Sequence, residues 1–340
     1  MNTNDFNFDL PAELIAQTPL QKRTDSRLLV LHRDTKTYED KHFYEIIDYL
    51  KPGDVLVRNN TRVLPARLFG IKEETNAKVE VLLLKQKDNI WECLVGNARV
   101  VKVGSVISFG NGELKAKCLA VYDKGIRDFE MIYEGVFLEV LEKLGNIPLP
   151  PYIKTQLNDK ERYQTIYSKI EGSAAAPTAG LHFNEQLFEA ITEKGIEVLD
   201  ITLHIGLGTF RPVDVEDVSN HKMHSEWYHI SQEVADKLNL AKEQKRRIIS
   251  IGTTTTRTLE SIMKKYGKFQ ADSSETSIFI YPGYKFEAID AQITNFHLPK
   301  STLLMLVSAF ADKQFILKAY EHAIEERYRF FSFGDSMLIL

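Results

Sequence analysis

Cysteine is nearly missing from this 340-residue chain, which holds only Cys93 and Cys118. Two thiols cannot build a disulfide framework or a cysteine-rich zinc site, so they read as ordinary buried side chains. Long apolar runs are lacking as well: the longest, Leu303 to Ala311, falls far short of the roughly 20 residues that cross a bilayer. No secretory signal is expected either, because Asp5, Asp9 and Glu13 break up the opening segment and no basic stretch precedes an apolar one. Excess positive charge is also absent. A net charge of -4 argues against a surface coated in basic residues for nonspecific nucleic-acid binding, though not against a local basic patch. Together these absences predict a cytoplasmic protein with no membrane contact.

What is present is a globular composition, 44% hydrophobic and 26% charged, with length enough for about two domains. From Asp54 to Tyr133 short strands follow one another with turn signals between them: DVLVRN, TRVLPARLF, AKVEVLLL, IWECLV, SVISF, ELKAKCLAVY and RDFEMIY. Such density of strands without a helix predicts a small β-barrel or sandwich. Pro65 and the run NIPLPPY (146–152) mark its stiff boundaries, and FLEVLEKLG (137–145) has helical spacing with a glycine stop. Beyond Tyr152 helices and strands alternate, as in an α/β domain. Helices are expected near 184–194, 231–243, 256–266, 301–311 and 314–325, and strands at IEVLDITLH, RRIISIG, SIFIY, DAQITNF and SMLIL. The first 53 residues add the strand RLLVLHR and a helix near His42 to Leu50. The reading is an α/β catalytic domain of residues 1–64 and 147–340, interrupted by an all-β domain of residues 65–146.

Several segments could carry chemistry. LHIGLGTFRP (203–212) ends a strand in Gly206 and Gly208, where missing side chains let backbone amides approach a ligand, with His204 and Arg211 alongside; a plain turn is the alternative. IGTTTTRTLES runs a strand into a helix through Thr253 and Thr254 toward Arg257, which suits a carboxylate or phosphate, although one threonine suffices for simple capping. GSAAAPTAGLHF (172–183) is a small-residue loop that offers His182 as a proton carrier or packs as structure. In HKMHSEWYH, helical spacing would place His221 and His224 on one face with Glu226 close by, but H-E-x-x-H is missing and no metal site is expected. NFHLPKS places His297 and Lys300 where a strand hands over to an apolar helix, the usual ligand edge of α/β folds. The aromatics of YRFFSFGDSMLIL read as core, with base stacking as the lesser alternative. Arg58, Arg62 and Arg67 cluster in one stretch, and Lys245, Arg246 and Arg247 in another; each is either a solvated edge or an RNA contact.

In this order the segments resemble the S-adenosylmethionine:tRNA ribosyltransferase-isomerase family. The strings that carry the likeness run nearly end to end: DFNFDLPAELIAQTPL, SRLLVL, NNTRVLPARLFG, AKVEVLLL, PLPPYI, DKERYQTIY, GSAAAPTAGLHF, TLHIGLGTFRPV, HKMHSEWY, IFIYPGY, TNFHLPKSTLLMLVSAF and YRFFSFGD. The resemblance implies a large α/β domain containing a β-barrel flanked by helices, with a smaller all-β barrel inserted. It also implies the reaction: the ribosyl part of S-adenosylmethionine moves onto 7-aminomethyl-7-deazaguanine at the wobble position of tRNA, giving epoxyqueuosine and releasing adenine and methionine. No metal or resident cofactor is implied, since S-adenosylmethionine is consumed, and a monomer is expected. Two departures stand out: Glu275 where many relatives carry an aromatic, and Thr255 and Thr256 where serine or valine is common.

Such chemistry needs a base at the ribose 5′ carbon, an acid for departing adenine, a carboxylate anchor and a dry pocket. His182, His204 and His297 are the candidate proton carriers, with the first two ahead because glycine-rich loops flank them. Gly206, Gly208, Arg211, Thr253, Thr254, Arg257 and His224 are the candidate substrate contacts, and Arg58, Arg62, Arg67 and Lys300 the candidate RNA phosphate contacts. An S-adenosylmethionine-dependent RNA methyltransferase and a noncatalytic RNA-binding protein are the rival readings.

Overall fold

In a computed structural model, which describes residues 1–157, 159–206, 213 and 215–340, the chain forms two compact units. One comprises Met1–Arg62, Pro150–Ile170 and Ala176–Leu340, the other Val63–Leu149 with Glu171–Ala175. Among the described residues no helix is long and apolar enough to cross a membrane.

The first unit is built on a nine-stranded mixed sheet, in the order Asp272–Thr276, Glu226–Ile230, Glu197–Leu203, Val55–Asn59, Ile248–Ile251, Ala291–Asn295, Ser336–Ile339, Arg27–His32, Thr37–His42. The run from Glu197–Leu203 through Ala291–Asn295 is parallel throughout. Strands covered on both faces read as continuous apolar segments rather than alternating ones; Ile248–Ile251 is buried at every position. The outer strand Thr37–His42 carries TYEDKH and is mostly exposed, a charged edge that discourages further pairing. Leu56, Ile249, Ile251 and Ile293 meet Phe183 and Leu187 in the core on one face, and helix Thr253–Tyr266 packs on the middle strands. Asn184, Ser231, Ser301 and Asp312 each cap a helix through the side-chain oxygen. The second basic cluster pins strand ends: Arg247 pairs with Asp54 and Arg246 with Glu197.

The second unit is a closed antiparallel barrel of Ile126–Tyr133, Ile90–Gly96, Lys78–Lys87, Arg67–Lys72, Val106–Phe109 and Leu114–Val121. Both cysteines are buried in it, and burial pushes the Cys93 thiol well above its ordinary range, the state of an inert core thiol.

Some expectations change. DVLVRN contributes not to the barrel but to the middle of the large sheet. The helix expected near His42 to Leu50 is a 3-10 segment, Phe43–Tyr49, where Phe43 and Ile46 sit three apart, as that tighter winding requires to face one core. SIFIY (277–281) forms no strand; the ladder partner is the preceding DSSET, Asp272–Thr276, whose polar side chains hide an edge strand. HKMHSEWYH is not helical, since Glu226–Ile230 is a strand.

Gly180 marks a close approach: a Cβ there would stand 2.0 Å from the Tyr167 hydroxyl and 2.7 Å from Thr165 Cγ2. Tyr167 cannot easily yield, because the Arg58 guanidinium lies 4.3 Å over its ring. Gly180→Ala is expected to destabilise by about 1–3 kcal/mol through overpacking, read as a lowered urea midpoint; an unchanged midpoint would show that the loop has slack.

Candidate functional site

The carboxyl ends of the four parallel strands lie along one edge of the sheet, the usual place for a ligand in α/β folds. Those strands run on into Asn60–Thr61, His204–Gly206, Gly252–Thr254 and Phe296–His297. His204, Gly206, Thr253, Thr254 and His297, selected from sequence, are thereby brought to one edge. Asn59 stitches it together: Nδ2 donates to the Leu203 carbonyl at 2.9 Å, while Oδ1 accepts from the amides of Leu203 and Thr61 at 3.0 and 3.1 Å. Thr254 Oγ1 lies 3.4 Å from the same Nδ2.

His204 is held on two sides. Its ring stacks on Trp227 with centroids 4.9 Å apart, and Nδ1 meets Thr61 Oγ1 at 2.8 Å. Burial lowers its pKa to about 4, so the imidazole is neutral at pH 7. Nε2 has no hydrogen-bond partner among the described residues, which leaves it for a ligand.

Next to it lies a buried carboxylate. Glu226 Oε2 accepts from Arg257 Nη1, while Oε1 accepts from the Gly206 amide at 2.9 Å and lies 3.2 Å from His224 Nε2. Burial opposes ionisation of Glu226, but the Arg257 charge, with His224 and the Gly206 amide behind it, prevails and holds the pKa at about 2. Arg257 is 3% exposed, and its Nε and Nη2 lack partners among the described residues. The helix that carries it starts at Thr253 without a side-chain cap, so its first amides stand at the edge uncommitted. Among the described residues no group of three or more His, Cys, Asp or Glu side chains could hold a metal ion.

His182 and His297 are more enclosed. His182 Nδ1 lies 2.8 Å from Ser26 Oγ, and Nε2 lies 3.1 Å from Asn295 Nδ2. That amide nitrogen also donates to the Phe331 carbonyl, so Nε2 accepts and Nδ1 carries the proton toward Ser26. His297 Nε2 engages Thr294 Oγ1 at 2.9 Å. Burial drives both pKa values down to about 3.

These three imidazoles give the fold an acid weakness. Below their ordinary pKa of 6.5 the unfolded chain takes up protons that the folded chain refuses, so stability falls as pH drops from about 6.5 toward 4. Each proton contributes a slope of about 1.4 kcal/mol per pH unit. Glu226 adds its own loss only below its ordinary 4.5. Urea midpoints should therefore decline steadily between pH 7 and 5; flat midpoints there would contradict the buried neutral state.

The model of a family described as queuosine biosynthesis protein matches residues 3–339. The chain belongs to that family. Among its curated relatives, the S-adenosylmethionine:tRNA ribosyltransferase-isomerase of Clostridioides difficile is 58% identical over 340 residues, with all of both chains covered. The protein of that name from Staphylococcus aureus is 57% identical over 341 residues, again at full coverage. The crystal structure of the S-adenosylmethionine tRNA ribosyltransferase of Thermotoga maritima is 37% identical, with a TM-score of 0.56, covering 99% of this chain and 100% of that one.

For a queuosine biosynthesis protein the remaining candidates are placed unevenly. Gly208 and Arg211 lie outside the described residues. Arg58 is bound to Asp200 at 2.6 Å and lies over the rings of Tyr167 and Phe188. Arg62 gives both terminal nitrogens to Glu161, and Arg67 pairs with Glu80. All three are already neutralised, unlike Lys300, which has no ion pair among the described residues. Glu226 was legible only as a neighbour of His224; its role as the counter-charge of Arg257 was not, nor were the contributions of Asn59, Thr61, Trp227 and Asn295. Apart from the Asn59-Asn60-Thr61 run, which is polar at a strand end, no local pattern points to them.

Proposed function

We propose that the carboxyl edge of the large sheet is where this chain acts as an S-adenosylmethionine:tRNA ribosyltransferase-isomerase, moving the ribosyl moiety onto 7-aminomethyl-7-deazaguanine at the tRNA wobble position. The observation that carries the reading is His204, neutral, half-enclosed and open at Nε2, beside an uncapped helix start and the partly uncommitted Arg257. The sulfonium of S-adenosylmethionine acidifies the adjacent 5′ carbon, and a neutral imidazole there can take the proton. Once protonated, an imidazole whose pKa is depressed is a strong acid, fit to pass that proton to the departing adenine. The amine then bonds to the 1′ carbon that adenine has left, the 5′ carbanion closes the ring onto that same carbon, and the ring oxygen thereby freed from it displaces methionine from the 5′ carbon to close the epoxide. Thr253, Thr254, Arg257 and Gly206 are assigned to the methionine end of the substrate, with Gly208 and Arg211 added from the sequence motif alone, and His224 to holding Glu226 in place. Lys300 is the better candidate for an RNA phosphate than Arg58, Arg62 or Arg67, whose charges are spent. His182 and His297 keep the proton-carrying edge in register rather than exchange protons with substrate.

The experiment is product analysis with S-adenosylmethionine and tRNA bearing the aminomethyl base. Adenine and methionine in equal amounts support the reading; S-adenosylhomocysteine would instead make the chain a methyltransferase. The reading further takes the chain as a cytoplasmic monomer with residues 65–146 as an inserted domain. Light scattering tests the monomer against the chain mass of 39.0 kDa.

A further inference from the structure

Three guanidinium groups gather beside His182 with no acid paired to any of them. Arg23 lies in the short turn Arg23–Asp25, Arg162 in the turn Lys160–Tyr163, and Arg329 shortly after the helix Lys313–Glu325. They are interlocked through main-chain carbonyls. Arg23 donates to Glu161 and Gln164, on either side of Arg162, and to Leu181, next to His182. Arg162 donates to Leu20 and Gln21, just ahead of Arg23, and Arg329 to Thr18. Arg23, Arg162, Ser26, His182 and Ser332 line a cavity of about 20 Å³.

Charge is left over at this place. Glu161, the neighbour of Arg162, turns both oxygens to Arg62, and none of the three arginines makes an ion pair among the described residues. Arg162 Nε and Arg329 Nη1 are buried without a hydrogen-bond partner among the described residues. Burial and then repulsion by Arg162 lower the Arg23 pKa, outweighing the pull of Glu185, Asp159 and Glu161. Leaving a charged donor buried and unmatched is costly, a cost that an arriving oxyanion removes. Planar guanidinium forks match phosphate oxygens well.

We propose that Arg23 and Arg162, with the hydroxyls of Ser26 and Ser332, form a pocket for one phosphate of the tRNA backbone, to which Arg329, tied to Thr18 beside the lining residue Pro19, adds its charge. This deepens, and rests on, the reading of the chain as a tRNA-modifying enzyme. The enclosed space admits a single oxygen-sized group, so a non-bridging oxygen enters while the polynucleotide passes outside. His182 links the pocket to Asn295, at the end of the strand three positions from that of His204. Three strand spacings are roughly 14 Å, a distance suited to a neighbouring nucleotide of the substrate whose base reacts at His204.

The test is binding of tRNA carrying the aminomethyl base over a salt series, without S-adenosylmethionine. For Arg162→Gln/Arg329→Gln the slope of log K against log salt should become shallower by about one. Affinity should fall roughly tenfold near 0.1 M salt, with S-adenosylmethionine affinity and turnover at saturating tRNA retained. Arg162→Lys, which keeps the charge, should keep the slope. On the unaltered protein, inorganic phosphate should displace tRNA better than chloride at equal ionic strength, a reading that needs no variant to fold. Unchanged slope and affinity, or phosphate no better than chloride, would overturn the proposal. Loss of S-adenosylmethionine affinity at an unchanged slope would also overturn it, assigning the pocket to the amino-acid carboxylate. Product analysis on the unaltered protein is scored separately, so failure of ribosyl transfer and failure of the pocket are told apart.

Discussion

His204→Ala is expected to lower turnover by about a hundredfold or more while S-adenosylmethionine still binds and the chain stays folded, the scale of a lost proton-transfer group. The expectation follows from comparing the three imidazoles. His182 has both ring nitrogens engaged, by Ser26 and Asn295, and His297 is fully enclosed with Nε2 on Thr294. Only His204 combines a fixed ring, through Trp227 and Thr61, with a second nitrogen free of described partners. His204→Gln, which keeps a polar group but carries no proton at neutral pH, should lose as much turnover as the alanine variant. By the same reasoning His182→Ala should lower the urea midpoint more than it lowers turnover per folded molecule. Near-normal turnover in His204→Gln would remove His204 from the chemistry.

Glu226→Ala should destabilise the fold by about 3–5 kcal/mol, because it leaves the Arg257 charge buried and unmatched. Glu226 and Arg257 are 3% exposed each, and the carboxylate also holds the Gly206 amide and His224. Replacing both partners with apolar residues removes the lone charge, so Glu226→Leu/Arg257→Met should recover most of the lost stability. Activity should not return with it, since the Arg257 donors are gone. Urea unfolding and S-adenosylmethionine binding together check this. A single variant that costs under about 1 kcal/mol, against the range expected for broken buried pairs, would mean that the pair is solvated in solution.

How much of this could be read in the sequence depended on the range of the interaction. The barrel strands were legible because side-chain alternation is a local pattern, and the parallel strands because burial on both faces leaves apolar runs such as IISI. Helix starts were legible through Asn184, Ser231 and Ser301, whose caps act within three residues. The edge strand Asp272–Thr276 was not: it pairs with Glu226–Ile230 through the backbone while presenting polar side chains, and SIFIY looked more strand-like than its neighbour. The motif histidines could be chosen from sequence, but their order of merit could not, since it rests on Ser26, Asn295 and Thr61, distant in the chain. Likewise Arg23, Arg162 and Arg329 form a cluster only once the fold closes over more than three hundred residues.

The most direct test of ribosyl transfer at this edge is the fate of hydrogen at the ribose 5′ carbon. With S-adenosylmethionine carrying two deuterium atoms there, mass analysis of the modified nucleoside should find one of the two lost, as removal of a proton by a neutral imidazole requires. A product that keeps both would contradict base chemistry at His204, whatever the yield.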